Sequence, residues 1–220
     1  MYNHRMETLR LFPLNTVLFP GQLLPLHIFE PRYRQMIGEC IQHGQAFGVV
    51  LIRSGEEVGE AAEPYDVGTT AHIVQVESEA DGRMNLLCVG NARFRIAQLL
   101  RDKPYLSGHV ELWPWEPYLE GSADLERIRR QLDRYLHLLA EMADSPLDLS
   151  LPTEPAALAN IAASVLQVEL SEKQQLLTTP SISAMLIDVA DLLQRELRAW
   201  QIVQASRQLS PDETSSFSLN

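Results

Sequence analysis

Ala71-His-Ile-Val-Gln-Val76, then Asp81-Gly82, then Met84-Asn-Leu-Leu-Cys-Val89 is the stretch that decides the fold. Two runs of strand-forming residues flank an Asp-Gly pair. That dipeptide supplies the positive φ of a tight turn, and between two such runs it predicts a hairpin. Working outward, Ala46–Ile52 is a continuous apolar run, consistent with a buried strand. Residues 53–66 carry Glu56, Glu57, Glu60, Glu63 and Asp66 and read as an exposed loop. Downstream, Gly90-Asn91 reads as another turn, Phe94-Arg-Ile96 opens a further strand, and Leu106–Trp113 is the last one. Upstream, Leu9-Arg-Leu-Phe12 is a short run closed by Pro13, and Phe19-Pro-Gly21 is a turn. Leu23–Phe29 follows with Pro25 inside it, which marks an edge strand or a bulge. Short strands at this spacing predict a barrel or sandwich rather than a βαβ sheet.

One helix interrupts the β half. Tyr33, Met36, Ile37, Cys40 and Ile41 repeat at the spacing of one buried helical face, with Pro31 in the first turn and Gly44 past the end. After the Trp113-Pro-Trp-Glu-Pro117 junction the period becomes helical throughout. A helix capped by Ser122 runs to Met142, with Leu125, Ile128, Leu132, Tyr135, Leu139 and Met142 on its apolar face. Asp144–Pro155 is a loop and Ala156–Val168 a second helix. Ser171-Glu-Lys-Gln174 reads as a capping box for a third. Pro180 opens a fourth, which buries Ile182, Met185, Leu186, Val189, Leu193, Leu197 and Trp200. The expected fold class is α+β, with a β domain over 1–117, a helical bundle over 118–209 and a disordered tail over 210–220.

Composition bounds the function. The 220 residues are 45% hydrophobic and 21% charged, which is ordinary globular composition. A net charge of -11 opposes nonspecific nucleic-acid binding. The two cysteines, Cys40 and Cys88, form no C-x-x-C, which suits a reducing compartment. No apolar run has the length of a membrane span, and Met1–Glu7 has no signal-peptide core, so the expected location is cytoplasmic.

Catalytic motifs are missing. The only lysines, Lys103 and Lys173, follow Asp102 and Glu172, so no Gly-Lys pair exists for a phosphate-binding loop. G-x-G-x-x-G and G-x-S-x-G are also absent. A Ser-Lys dyad needs a buried lysine, and both lysines read as solvated. No histidine pairs with another at helical spacing, which leaves no zinc pattern. His27 beside Glu30 could act as a base, or could be a hydrogen-bonded strand-end histidine. The cysteines read as small buried hydrophobes. Arg127, Arg130 and Arg134 could bind an acidic ligand, but Asp124, Glu126 and Asp133 between them predict a salt-bridged, solvated face. Trp113, Trp115 and Tyr118 in the junction, with Phe19 at its turn, are the candidate polypeptide contacts. The junction aromatics could equally glue the two halves together. No catalytic, cofactor-binding or metal-binding residue is assigned.

Leu9-Arg-Leu-Phe-Pro-Leu-Asn-Thr-Val-Leu-Phe-Pro-Gly21 and Leu24-Pro-Leu-His-Ile-Phe-Glu-Pro-Arg-Tyr-Arg34 resemble the opening of the Lon protease N-terminal, substrate-binding domain. The resemblance is closest to its stand-alone form. It continues through Val67-Gly-Thr69, Asp81-Gly-Arg83, Gly90 with Arg93-Phe94, and Leu170-Ser-Glu-Lys-Gln174, covering about Leu9 to Trp200. It implies a PUA-like β pseudobarrel with one inserted helix, followed by a C-terminal helical bundle. It also implies a non-catalytic module that recognises unfolded or partly folded polypeptides, with a protease or ATPase partner and homo-oligomerisation left open. The alternatives are an RNA-binding PUA-like protein and a peptidase that works without ATP.

Overall fold

The computed structural model describes residues 6–56, 62–144 and 150–208. The expected disordered tail, 210–220, lies outside the described residues, as do 57–61 of the expected acidic loop and 145–149 of the expected helix connection.

Six strands make the β half: β1 (Glu7–Leu14), β2 (Leu23–Ile28), β3 (Phe47–Ser54), β4 (Glu63–Ser78), β5 (Met84–Leu100) and β6 (Ser107–Leu112). They pair in the order β2-β5-β4-β3-β1-β6, and β5 also pairs with β6, which closes β5, β4, β3, β1 and β6 into a barrel. The β1–β3 pairing is parallel. The Asp-Gly hairpin joins β4 to β5, with Gly82 at φ 83.

Three expectations change here. The loop assigned to 53–66 is shorter, because β3 runs to Ser54 and β4 begins at Glu63. Pro13 does not end β1. Glu7–Arg10 pair with β6 and Leu11–Leu14 pair with β3, so Pro13 sits where β1 has a single register partner, Val50, and a missing N–H is tolerated. Gly90-Asn91 is not a turn: β5 runs straight through it, with a register irregularity opposite Thr69–Ala71.

The long β5 does two jobs. Its second part, Phe94–Leu100, closes the barrel on β6, while Met84–Val89 lies between β2 and the outer half of β4 as a three-stranded flap. Helix α1 (Pro31–His43) covers one face of that flap, burying Tyr33, Met36, Ile37 and Cys40 against Leu86, Cys88 and Ile28. Ile41, expected on the same face, is exposed. Cys40 and Cys88 are free and buried there, and burial pushes both thiols up to about 11, as expected of inert packing residues.

Glu39 ties α1 to the barrel. The Tyr105 hydroxyl donates to its Oε2 at 2.6 Å, and Arg10 Nη2 donates to the same oxygen at 3.1 Å. These bonds, Tyr105 first, hold the carboxyl down to about 2 from an ordinary 4.5. A depressed carboxyl stabilises the fold above its unfolded value, and that stability goes as pH falls towards the folded value. Unfolding by urea should therefore lose about 1 kcal/mol between pH 4.5 and about 2 through this group, discounted for partial exposure. Glu39→Gln should flatten that acid limb; an unchanged limb in the variant would refute the assignment.

The helical half comprises α2 (Leu125–Met142), α3 (Pro155–Val165), α4 (Leu170–Thr178) and α5 (Ile182–Gln208). Asp124, not Ser122, caps α2 by accepting from the Arg127 N–H, while Ser122 Oγ bonds Ser183 Oγ. Met142 is exposed rather than on the buried face, and Leu136 is buried instead. The expected capping box is interior to α4, which begins at Leu170. Its Gln174 instead sends Nε2 to the Val67 carbonyl at 3.0 Å. The buried helical cluster also takes in Val17, Phe19, Leu51 and Val67 from the β half, so the two halves share one apolar core.

Candidate functional site

The aromatic group expected to hold a polypeptide forms the joint between the halves. Phe19 is 0% exposed, deep in the shared core, and has no surface for a ligand; this corrects its assignment as a contact. Trp113 and Trp115 are half-buried and gather around Arg93 of β5. The guanidinium carbon lies 3.9 Å from the Trp113 ring centre and 4.1 Å from that of Trp115. Arg95 also lies 3.9 Å from the Trp113 ring, so this indole is engaged by two cations.

Arg93 enters the sequence reading only as part of the family resemblance, with no role assigned to it. It is 2% exposed. Its Nε donates to the Trp113 carbonyl at 2.6 Å, and its Nη1 donates to the Leu177 and Thr179 carbonyls at 2.8 and 2.7 Å. Those two carbonyls close the C-terminus of α4, where acceptors are left over. Burial, then the neighbouring Arg95, lowers its pKa to about 10. The chain after Trp113 is sewn to the same place, since Glu116 N–H donates to the Pro180 carbonyl and Ile182 N–H to that of Glu116. Tyr118, also half-buried, gives its hydroxyl to the Ala123 carbonyl at 3.1 Å. The arrangement is structural glue, with a signal available in advance: an arginine in an apolar strand facing a Trp-rich junction.

The apolar surface left open is elsewhere. β2 has β5 on one side and, among the described residues, no strand on the other. Leu24, Leu26 and Ile28 point towards α1, so Leu23, Pro25 and His27 alternate to the outer face of the flap. Across the ladder they meet Val89, Leu87 and Asn85. Leu23 is 59% exposed, and Phe29 (48%) and Val74 (56%) add exposed apolar area on the flap and its rim. His27 Nδ1 lies 2.7 Å from Asn85 Oδ1, while Glu30 pairs with Arg32, so His27 is the hydrogen-bonded strand histidine and not a base beside Glu30.

The lysines need one correction. Lys173 is not solvated: burial lowers its pKa, and its Nζ donates to the Ser164 carbonyl at 2.8 Å. The Ser164 hydroxyl is turned away to the Ile161 carbonyl, so the contact is a backbone tether and not a nucleophile–base pair. Lys103 sits beside Tyr105 and Glu39. Among the described residues no His, Cys, Asp and Glu group could hold a metal ion, and no helix is long and apolar enough to cross a membrane.

A closed barrel with a helix-backed flap, joined to a helical bundle, defines a PUA-like α+β module with an open strand edge. The chain belongs to the ATP-dependent protease La (LON) substrate-binding domain family, whose profile matches residues 8–195. Among its relatives, the Lon protease of Anaeromyxobacter dehalogenans is 30% identical over 86% of this chain and 23% of its own length. That of Parabacteroides distasonis is 30% identical over 94% of this chain and 26% of its own. The chain thus spans about a quarter of the length of the curated relatives it matches. A Lon N-terminal domain protein from Xanthomonas campestris aligns with a TM-score of 0.63 and 27% identity, over 88% of this chain and 98% of that one. The N-terminal domain of the Mycobacterium avium complex Lon protease has a TM-score of 0.63 at 18% identity, over 86% and 98%, a likeness of fold.

Proposed function

We propose that the protein is a non-catalytic polypeptide-recognition module of the cytoplasm that takes up unfolded or partly folded chains along the outer edge and face of the flap, serving as an adaptor in proteolysis or quality control. The observation that carries this reading is the open edge of β2 beside the exposed Leu23 and Pro25 and their half-buried ladder partners Val89 and Leu87. A strand edge offers backbone hydrogen bonds to any extended chain, and alternate side chains add apolar contact. Pro25 limits that edge, which keeps it from pairing promiscuously with other folded sheets. The junction aromatics Trp113, Trp115 and Tyr118 have their polar atoms or ring faces engaged within the chain, so the flap is favoured over them as the contact surface.

The test is titration of a fluorescently labelled, permanently unfolded neutral polypeptide. Binding at micromolar concentration is expected, weakened about tenfold by the pair Leu23→Glu and Leu87→Glu, which puts charge where the chain would bury apolar groups. No binding up to about 100 μM would overturn the reading. So would turnover of the polypeptide by the purified protein.

A further inference from the structure

We infer that the groove between α2 and α5 is a second recognition site, which takes an extended acidic segment of the bound polypeptide. The inference rests on the polypeptide-recognition reading and names a class of sequence within it. Arg127, Arg130 and Arg134 of α2 and Arg198 of α5 line one groove of about 340 Å³. The acids expected to neutralise them do not. Asp124 caps its own helix, Asp133 faces His137 at 3.6 Å, and no carboxylate among the described residues pairs with Arg130, Arg134 or Arg198. Arg127 reaches only Gln194 Oε1, at 3.3 Å.

Arg10, Arg32, Arg53, Arg83, Arg101 and Arg195 each hold a carboxylate, and the net charge is -11, so a groove lined by four arginines and no acid stands apart from its surroundings. Four guanidiniums that hold no carboxylate among the described residues, gathered in one groove of an acidic protein, form a local site for negative charge. Each is a planar fork suited to a carboxylate.

The groove favours a peptide over a polyphosphate or a nucleic acid. Gln131 and Gln201 stand between the arginines, and side-chain amides both donate to and accept from peptide groups. Gln131 Oε1 is buried without a donor, which a backbone N–H supplies and a phosphate oxygen does not. Leu197, buried in the core, forms part of the groove's floor. The net charge of -11 repels a long uniform polyanion, while a short acidic run needs only the arginine row. From Arg127 to Arg134 the helix rises about 10 Å, the length of about three residues of extended chain. Carboxylates three positions apart therefore match the row.

The experiment uses the full chain and two labelled peptides of Gly and Ser, one with Glu at every third position and the other with Gln there. The acidic peptide should bind at least about tenfold tighter, and its affinity should fall several-fold between about 50 and about 300 mM salt. The double variant Arg130→Glu and Arg134→Glu should remove about tenfold or more of that affinity, since two exposed charges are reversed. Circular dichroism checks that both proteins are folded. Arg53→Glu, on the β half, should leave acidic-peptide binding unchanged. Equal binding of the two peptides overturns the inference, as does retained binding by the double variant or tighter binding of polyphosphate. If the neutral unfolded polypeptide still binds while the acidic preference is missing, this inference alone fails. If neither binds, the recognition reading fails with it.

Discussion

Arg93→Ala will lower the stability of the protein by about 3 kcal/mol or more, the largest loss expected from any single side chain at the joint. The substitution leaves the Trp113, Leu177 and Thr179 carbonyls without their donor, and the bonds to Leu177 and Thr179 are buried. Each buried acceptor left unmet costs about 1–3 kcal/mol, and the stack on two indoles goes as well. Against this stands the recovered cost of burying a cation, which the lowered pKa of about 10 records. The carbonyls decide the balance, because removing one partner from a buried charged network costs more than the network gains over an apolar substitute. Arg93→Lys should recover less than half of the loss, since a single ammonium cannot span three carbonyls and stacks poorly. Arg93→Met, which keeps apolar contact with the indoles, separates the two contributions. Urea unfolding gives the stabilities. Amide exchange should be faster around Leu177–Ile182 while the α1-backed flap keeps its protection. A change below about 0.5 kcal/mol in Arg93→Ala would refute the joint.

Much of this architecture was legible because periodicity and turn chemistry act locally. The Asp81-Gly82 hairpin, the edge position of the Pro25 strand, the buried face of α1 with Pro31 and Gly44 at its ends, and the α5 stripe from Ile182 to Leu197 all follow from neighbours in sequence. What was not legible depends on partners far along the chain. Pro13 continues a strand because β3 lies on one side of it and β6 does not reach it. Gln174 reads as a cap and serves as a donor to Val67, 107 positions away. The same holds for the candidate site. The aromatic junction was visible, but the atom that occupies it comes from β5 and turns a binding surface into a joint. The arginine row on α2 was visible too, but its acids were counted as partners from spacing alone. In the fold they point to a helix cap and a histidine, while α5 brings a fourth arginine.

Gly90→Ala is the sharpest test of the strand that replaces the expected turn, and it should cost about 2–4 kcal/mol. Gly90 lies where the Phe19–Gln22 turn docks on β5. Its N–H donates to the Gln22 carbonyl at 2.9 Å and its carbonyl accepts from Gly21 N–H at 2.8 Å. A Cβ there would stand 2.3 Å from the Phe19 carbonyl oxygen and 3.1 Å from Leu18 Cγ. The clash is with backbone, so no rotamer relieves it; either the turn lifts, breaking both hydrogen bonds, or β5 moves. Lifting the turn also pulls on Phe19, which fills the core shared by the two halves. The loss should therefore exceed a local strand defect and slow the return of the helical half in refolding. Gly38→Ala is the matched control with the opposite sign. Gly38 is an exposed position inside α1 with nothing within 4 Å of its added Cβ, so alanine should stabilise by about 0.5–1 kcal/mol through helix propensity alone. If both substitutions moved the urea midpoint alike, or if Gly90→Ala were neutral, the docking of the turn on β5 would be wrong. If Gly90 were a turn residue that merely needed freedom of φ, Gly90→Asn would be tolerated; the close approach to Phe19 predicts that it will cost at least as much as alanine.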